Sequence, residues 1–104
     1  MHGTQFVNTL LLPVAAPDVV YKSLPDGAVL FSSDSEVYFG LNAVGARVWE
    51  LLPPASDTVA QLVEALGAHY PDVDPATIQA DVSELLENLE RQGLVRARGE
   101  PQPA

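Results

Sequence analysis

Short apolar runs separated by turn residues make up the first half of the chain. Three β-prone runs follow one another, at Val19–Tyr21, Ala28–Phe31 and Glu36–Leu41. Asp26-Gly27 separates the first two, and the polar segment Ser32–Ser35 separates the second from the third. An Asp-Gly pair between apolar runs indicates a hairpin, because Gly27 can take the positive φ that such a turn demands. The pattern predicts a three-stranded antiparallel meander.

The second half has the hydrophobic spacing of three helices, each with its own start and stop signals. The N-cap signals are Asn42, Thr58 in a capping box with Gln61, and Asp74 followed by Pro75. Pro53-Pro54 ends the first helix, and Gly93 ends the third in a Schellman-type stop that lets Leu94 pack back on Leu89. The apolar stripes are Val44, Val48, Leu51 and Leu52; then Val59, Leu62, Val63, Leu66 and Tyr70; then Ile78, Val82, Leu85, Leu86 and Leu89.

The order of these elements predicts an α+β, winged-helix-like fold, in which a three-stranded antiparallel sheet is followed by three helices. We expect an N-terminal arm over 1–16, one domain over 17–97 and a tail over 98–104. Leu10, Leu11 and Leu12 need cover, which predicts that this part of the arm docks as an extended segment. Leu94-Val95-Arg96 is expected to form a short extended exit.

Charge and composition exclude several classes of function. The 104 residues carry 14 acidic and 5 basic side chains, a net charge of −9, and no cysteine. Such a surface repels phosphate backbones and anionic lipid, so neither nucleic acid nor a membrane is an expected partner. Asn8 and Pro13 interrupt the apolar run near the N-terminus, which argues against a secretory signal and favours a cytoplasmic protein. The absence of thiols removes disulfides and thiolate metal sites.

The sequence offers little for catalysis. His2 and His69 are far apart and match no metal-binding spacing, so we expect no enzyme activity, no cofactor and no metal. His69 falls at a helix C-terminus, where an imidazolium interacts favourably with the helix dipole. The third helix carries four carboxylates, Asp81, Glu84, Glu87 and Glu90. They fan around the helix as a solvated surface, and they argue against its insertion into a DNA groove.

The third strand is the best candidate for a binding surface. Glu36–Leu41 lacks the lysine, proline and bulges that normally protect a sheet edge, so an extended peptide can add to it by β-augmentation. The third helix is expected to form the other wall. Periodicity leaves two flanks open, the Asp81, Leu85 and Asn88 side, which we choose, and the Leu86, Glu90 and Ser83 side. Val82, Leu89 and Trp49 are expected to be core.

Several blocks of sequence resemble the PqqD-like family of recognition elements for ribosomally made, modified peptides. They are Pro25–Leu30, Val37–Asn42, Gly45–Trp49, Asp81-Val82 and Leu89–Val95. Tyr38-Phe39 and Val48-Trp49 look closest to the stand-alone elements of lasso peptide clusters. The resemblance implies that a precursor leader with a Tyr-x-x-Pro segment adds as a strand to the third strand beside the third helix. The peptide-binding residues it implies are Glu36, Val37, Tyr38, Phe39, Gly40, Leu41, Asp81, Leu85 and Asn88.

The same resemblance implies partners and leaves alternatives. A leader peptidase would receive the bound leader, and a macrocyclising enzyme would act later on the released core. The first alternative is a chaperone of the PqqD type for a radical SAM enzyme that modifies peptides. The second is a winged-helix regulator that acts through protein contacts, and the third is a small enzyme or a structural subunit of a maturation complex.

Overall fold

The computed structural model describes residues 11–97, which form five strands and three helices. The strands are β1 (Val14–Ala15), β2 (Val19–Leu24), β3 (Gly27–Ser32), β4 (Val37–Asn42) and β5 (Val95–Arg96). The helices are α1 (Ala43–Glu50), α2 (Val59–His69) and α3 (Pro75–Arg91). The predicted α+β, winged-helix-like order, a meander of three strands followed by three helices, is confirmed. No helix in this part of the chain is long and apolar enough to cross a membrane.

The main sheet has the antiparallel order β2-β3-β4. A two-residue turn at Pro25-Asp26 pairs Leu24 with Gly27. The expectation that Gly27 takes a positive φ is wrong, since the described residues with positive φ are Glu36 and Gly93. Gly27 is needed for a different reason: a Cβ built on it would lie 2.0 Å from the carbonyl oxygen of Leu41 on β4. The glycine at position 27 is therefore required by the close approach of β3 to β4.

The third strand of the meander begins one residue later than predicted. Glu36 has a φ of 57° and donates its backbone N–H to the carbonyl of Ser32 at 2.7 Å. This left-handed conformation closes the four-residue turn, so Glu36 belongs to the turn and β4 begins at Val37. Asp18 holds the same turn, because its carboxylate accepts hydrogen bonds from the Ser32 hydroxyl and the Asp34 backbone N–H. These bonds lower the pKa of Asp18.

The N-terminal segment is docked from Leu11 onward, as predicted for an extended arm. Leu12 is fully buried, and its backbone N–H donates to the carbonyl of Asp57 at 3.0 Å. β1 then pairs antiparallel with β5, with Val14 opposite Arg96 and Ala15 opposite Val95. The predicted extended exit is therefore one strand of a second, two-stranded sheet. The remainder of the predicted arm, 1–10, and the tail from 98 lie outside the described residues.

The starts of all three helices and the end of α3 follow the predicted signals, whereas α1 ends at Glu50, before the predicted stop at Pro53-Pro54. The side chain of Asn42 accepts from the Gly45 backbone N–H, and Thr58 and Gln61 form the complete capping box. Asp74 caps α3 with proline at the first helical position. At the other end of α3, Leu94 donates to the Leu89 carbonyl and Gly93 to the Glu90 carbonyl, which is the Schellman arrangement. Gly93 supplies the required left-handed φ of 76°.

The core lies between the inner face of the main sheet and the helices. α1 packs on β3 and β4, while α2 and α3 pack together. Val82 and Leu89 are buried as predicted. Trp49 is only half-buried, and its ring stacks on that of Tyr21 with centroids 6.3 Å apart and planes within 9°. The stack joins α1 to β2, the strand at the edge of the sheet opposite β4.

Candidate functional site

The β4 edge of the main sheet is open. Within residues 11–97, β4 pairs with β3 on one side and with no strand on the other. Its sequence, VYFGLN, contains no charged residue and no proline. β2, at the opposite edge, carries Lys22, which discourages strand addition there. The two edges therefore differ, and β4 is the one suited to accept another strand.

The direction of the unpaired backbone groups on β4 follows from the approach at Gly27. The Leu41 carbonyl oxygen lies against Gly27, so it points toward β3. Successive residues of an antiparallel strand direct their N–H and C=O groups to opposite sides. Phe39 shares the direction of Leu41, whereas the backbone groups of Tyr38 and Gly40 point toward the open edge. These two residues offer main-chain donors and acceptors to an added strand.

A cleft of about 460 Å³ runs beside this edge. It is bounded by β4, by the start of α1 and by one flank of α3. The lining residues are Phe39, Gly40, Leu41, Asn42, Val44, Gly45, Val48, Asp81, Val82 and Leu85. All but Asn42 and Asp81 are apolar or glycine, and Asp81 is the one charged side chain in this set. The side chains of the cleft are thus mostly apolar, with the carboxylate of Asp81 at its exposed rim and the backbone of the β4 edge as a further polar part of its surface.

The predicted site residues divide into two groups. Those that line the cleft are Phe39, Gly40, Leu41, Asp81 and Leu85. Asn88 lies outside the lining, and its side-chain oxygen accepts a 3.0 Å hydrogen bond from Arg91. Tyr38 points to the other face of the sheet, where it is 74% exposed and packs on Phe31 with ring centroids 4.7 Å apart. Glu36 and Val37 lie at the turn end of β4, also outside the lining.

The α3 flank with Asp81 and Leu85 faces the β4 edge across the cleft. Leu86, Glu90 and Ser83, on the alternative flank, are absent from the lining. Leu86 packs against the core, as Leu85 does, but only Leu85 also lines the cleft. The geometry therefore favours the first of the two flanks that periodicity left open.

Sequence reasoning missed the contribution of α1. Val44 belongs to the apolar stripe that predicts the first helix, but it is 37% exposed and lines the cleft together with Val48. A hydrophobic stripe does not distinguish residues packed in a core from residues that line a groove. The available signal was position: Val44 follows the N-cap Asn42 within one turn, so it must lie beside the end of β4.

The described residues contain no group of histidines and acids that could hold a metal ion. His69 ends α2, and its Nε2 lies 3.5 Å from Nη1 of Arg47.

The fold and this open edge define the class of module that the sequence predicts, an α+β winged-helix-like domain with a groove beside an edge strand. Residues 27–95 match the family described as Coenzyme PQQ synthesis protein D (PqqD). Because the match spans more than half of the chain, the protein belongs to the PqqD family, and the predicted membership is confirmed.

A solved structure supports the same relationship. It is described as TbiB1 in complex with the TbiA(beta) leader peptide. The two chains are 31% identical, with a TM-score of 0.74, and the alignment covers 84% of this chain and 99% of that one. A search of curated proteins found no match.

Proposed function

We propose that this protein binds the leader segment of a ribosomally made precursor peptide by adding it as a strand to β4. The observation that carries the proposal is the open, uncharged β4 edge beside an apolar cleft. The similarity to TbiB1, whose structure contains a leader peptide, supports it. Strand addition draws affinity from main-chain hydrogen bonds and specificity from side-chain pockets, and this edge offers both.

The proposed site keeps the residues implied by the family resemblance and assigns each a position. Gly40 and Tyr38 provide main-chain bonds, Phe39 and Leu41 form the strand wall, and Leu85 with Asp81 forms the helix wall. Glu36, Val37 and Asn88 flank this centre and contact the leader beyond the cleft. With a net charge of −9 and Asp81 at the rim, the protein favours a leader that carries Lys or Arg beside its apolar anchors.

The role we propose is presentation without catalysis. The protein holds a leader of the Tyr-x-x-Pro type from a lasso peptide precursor and presents it to a leader peptidase. The macrocyclising enzyme then acts on the released core. A protein in this role needs an exposed edge and a groove, and it needs no cofactor.

The test is a titration of fluorescently labelled leader peptides with the purified protein. The first probe is a synthetic leader that carries the proposed Tyr-x-x-Pro segment, and the second is the TbiA(beta) leader peptide. We expect saturable binding by the first that is lost when its Tyr and Pro are replaced by Ala. Unchanged affinity after that replacement would refute the proposed pocket, and no binding of either probe would refute the function.

The family description favours a second candidate for the enzyme that receives the bound leader. A protein of the Coenzyme PQQ synthesis D family could deliver the leader to a radical SAM enzyme that modifies peptides. Co-purification of the leader-loaded protein with a leader peptidase and, separately, with a radical SAM enzyme separates the two versions. A peptidase retained by the loaded protein supports presentation for cleavage, whereas retention of a radical SAM enzyme supports the second version.

A further inference from the structure

A second hollow lies on the outer face of the main sheet, which no described helix covers. It has a volume of about 400 Å³. Its walls are Leu24, the turn residues Pro25 and Asp26, and Val29, and it extends to Gly40 on β4. Leu24 is 42% exposed, and Val29 is half-buried. Apart from Asp26, the side chains of these residues are apolar, so the hollow suits an apolar occupant.

Gly40 makes this hollow accessible from the β4 edge. Lys22, Val29 and Gly40 lie opposite one another across the three strands. A Cβ on Gly40 would meet no atom within 4 Å, so the space above it is empty. This row of side chains therefore has a gap at β4, the strand to which a peptide would be added.

The two hollows meet at one point on the edge. Gly40 and Leu41 line both the inner cleft beside α3 and the outer hollow beside the turn. Side chains of an added strand alternate between the two faces of a sheet. A peptide residue directly opposite Gly40 shares its face and lies over the outer hollow, whereas its two neighbours point into the inner cleft.

We propose that the outer hollow over Gly40 is a second specificity pocket, which takes one large apolar or aromatic side chain of the leader. This inference rests on the proposed function and adds to it a ligand chemistry. The protein reads both faces of one extended segment, with alternate residues entering alternate pockets. Large side chains, aromatic ones above all, cover a glycine on a neighbouring strand effectively, because the missing side chain leaves room for them.

Continuity of the apolar surface supports this occupant. Val20, Phe31 and Tyr38 form the next row across the outer face, and Val20 is 57% exposed. A side chain opposite Gly40 lies diagonal to Tyr38, within reach of its ring. The occupant thus extends an apolar strip that already ends at the β4 edge.

The experiment is an alanine scan of the Tyr-x-x-Pro leader peptide used to test the proposed function, measured against three proteins. They are the wild type, Gly40→Val, which fills the hollow but keeps the edge N–H and C=O, and Leu24→Ser, which removes an apolar wall. Leu85→Ala serves as the reference for the inner cleft. Circular dichroism and the thermal midpoint establish that each variant is folded.

We expect one leader position at which substitution by alanine lowers affinity for the wild-type protein about tenfold. The same substitution should lower affinity for Gly40→Val and for Leu24→Ser less than about twofold. Positions that couple to Leu85→Ala should lie an odd number of residues away. If the leader binds and couples to Leu85→Ala, but every alanine penalty is unchanged in both outer-face variants, the second pocket is refuted and the proposed function stands. If the leader does not bind the wild type, the proposed function fails and the second pocket fails with it.

Discussion

The carbonyl oxygen of Leu41 occupies the space in which a side chain at Gly27 would begin, 2.0 Å from an ideal Cβ. The contact fixes how closely β3 approaches β4 at the end of the strand that borders the cleft. The obstacle is backbone on the edge strand, so it cannot move aside as a flexible side chain would. β3 and β4 can therefore approach this closely because Gly27 has no side chain.

Gly27→Ala is expected to destabilise the protein by roughly 1–3 kcal/mol, the usual cost of forcing extra atoms into a packed site. Urea unfolding followed by tryptophan fluorescence measures the change. Gly40→Ala is the matched control, because its Cβ meets nothing within 4 Å, and its stability should stay within about 0.5 kcal/mol of the wild type. Equal stability of the two variants would contradict the close approach.

Gly40→Pro should abolish strand addition while the fold survives. Proline is tolerated at an edge where the N–H it removes is unpaired, and we place the Gly40 N–H on the open side of β4. Leader affinity should fall at least about tenfold, as measured by fluorescence anisotropy. Ser23→Pro is the control, because Ser23 pairs with Ala28 and by the same alternation directs its N–H to the open side of β2. A similar loss in both variants would argue against β4 as the acceptor.

Leu85 and Leu86 are neighbours on α3, both half-buried and both packed against the core, yet only Leu85 lines the cleft. Leu85→Ala should lower leader affinity about tenfold, which corresponds to about 1.4 kcal/mol. Leu86→Ala should lose comparable folding stability and leave the affinity within about twofold. Isothermal titration calorimetry measures the leader affinity of each variant separately from its loss of folding stability. The reverse order of affinities would place the groove on the other flank of α3.

The raised pKa of Tyr21 predicts that the protein loses stability at alkaline pH. Burial and a 2.6 Å hydrogen bond to Glu50 raise the pKa of Tyr21 from 10.0 to about 12. The neutral phenol is therefore favoured by folding, and its contribution is complete below pH 10 and lost as the pH rises to about 12. Because the site is partly exposed, we expect a loss on the order of 1 kcal/mol.

Urea midpoints between pH 9 and pH 11.5 check this expectation. Tyr21→Phe keeps the ring that stacks on Trp49 but has no proton to lose, so its stability should decline less steeply than that of the wild type. Parallel declines in the two proteins would show that the phenol of Tyr21 is not responsible.

The features that the sequence predicted well are local. Asn42, Asp74 and Gly93 each act within four residues of their own helix end, so their side-chain or backbone chemistry identifies the terminus without knowledge of the fold. The three β-prone runs are likewise recognised from their own residues and the turn residues that flank them. Such signals predicted the order of elements and most of their boundaries.

The features that were missed depend on distant neighbours. The reason for glycine at position 27 is an oxygen fourteen residues away, and no turn rule contains that contact. The pairing of β1 with β5 joins two-residue strands too short to show a pattern. Val44 has the spacing of a core residue, but its exposure depends on the gap that β4 and α3 leave beside it. Periodicity alone could not choose the flank of α3 for the same reason.

The antiparallel pairing of β1 with β5 also determines where the chain enters and leaves the domain. Val14 lies opposite Arg96, so the segment that precedes β1 and the segment that follows β5 leave this ladder at the same end. A force that pulled residues 11 and 97 apart would be resisted by this short ladder and by the buried Leu12, whose N–H is bonded to Asp57, before it reached the sheet that carries β4.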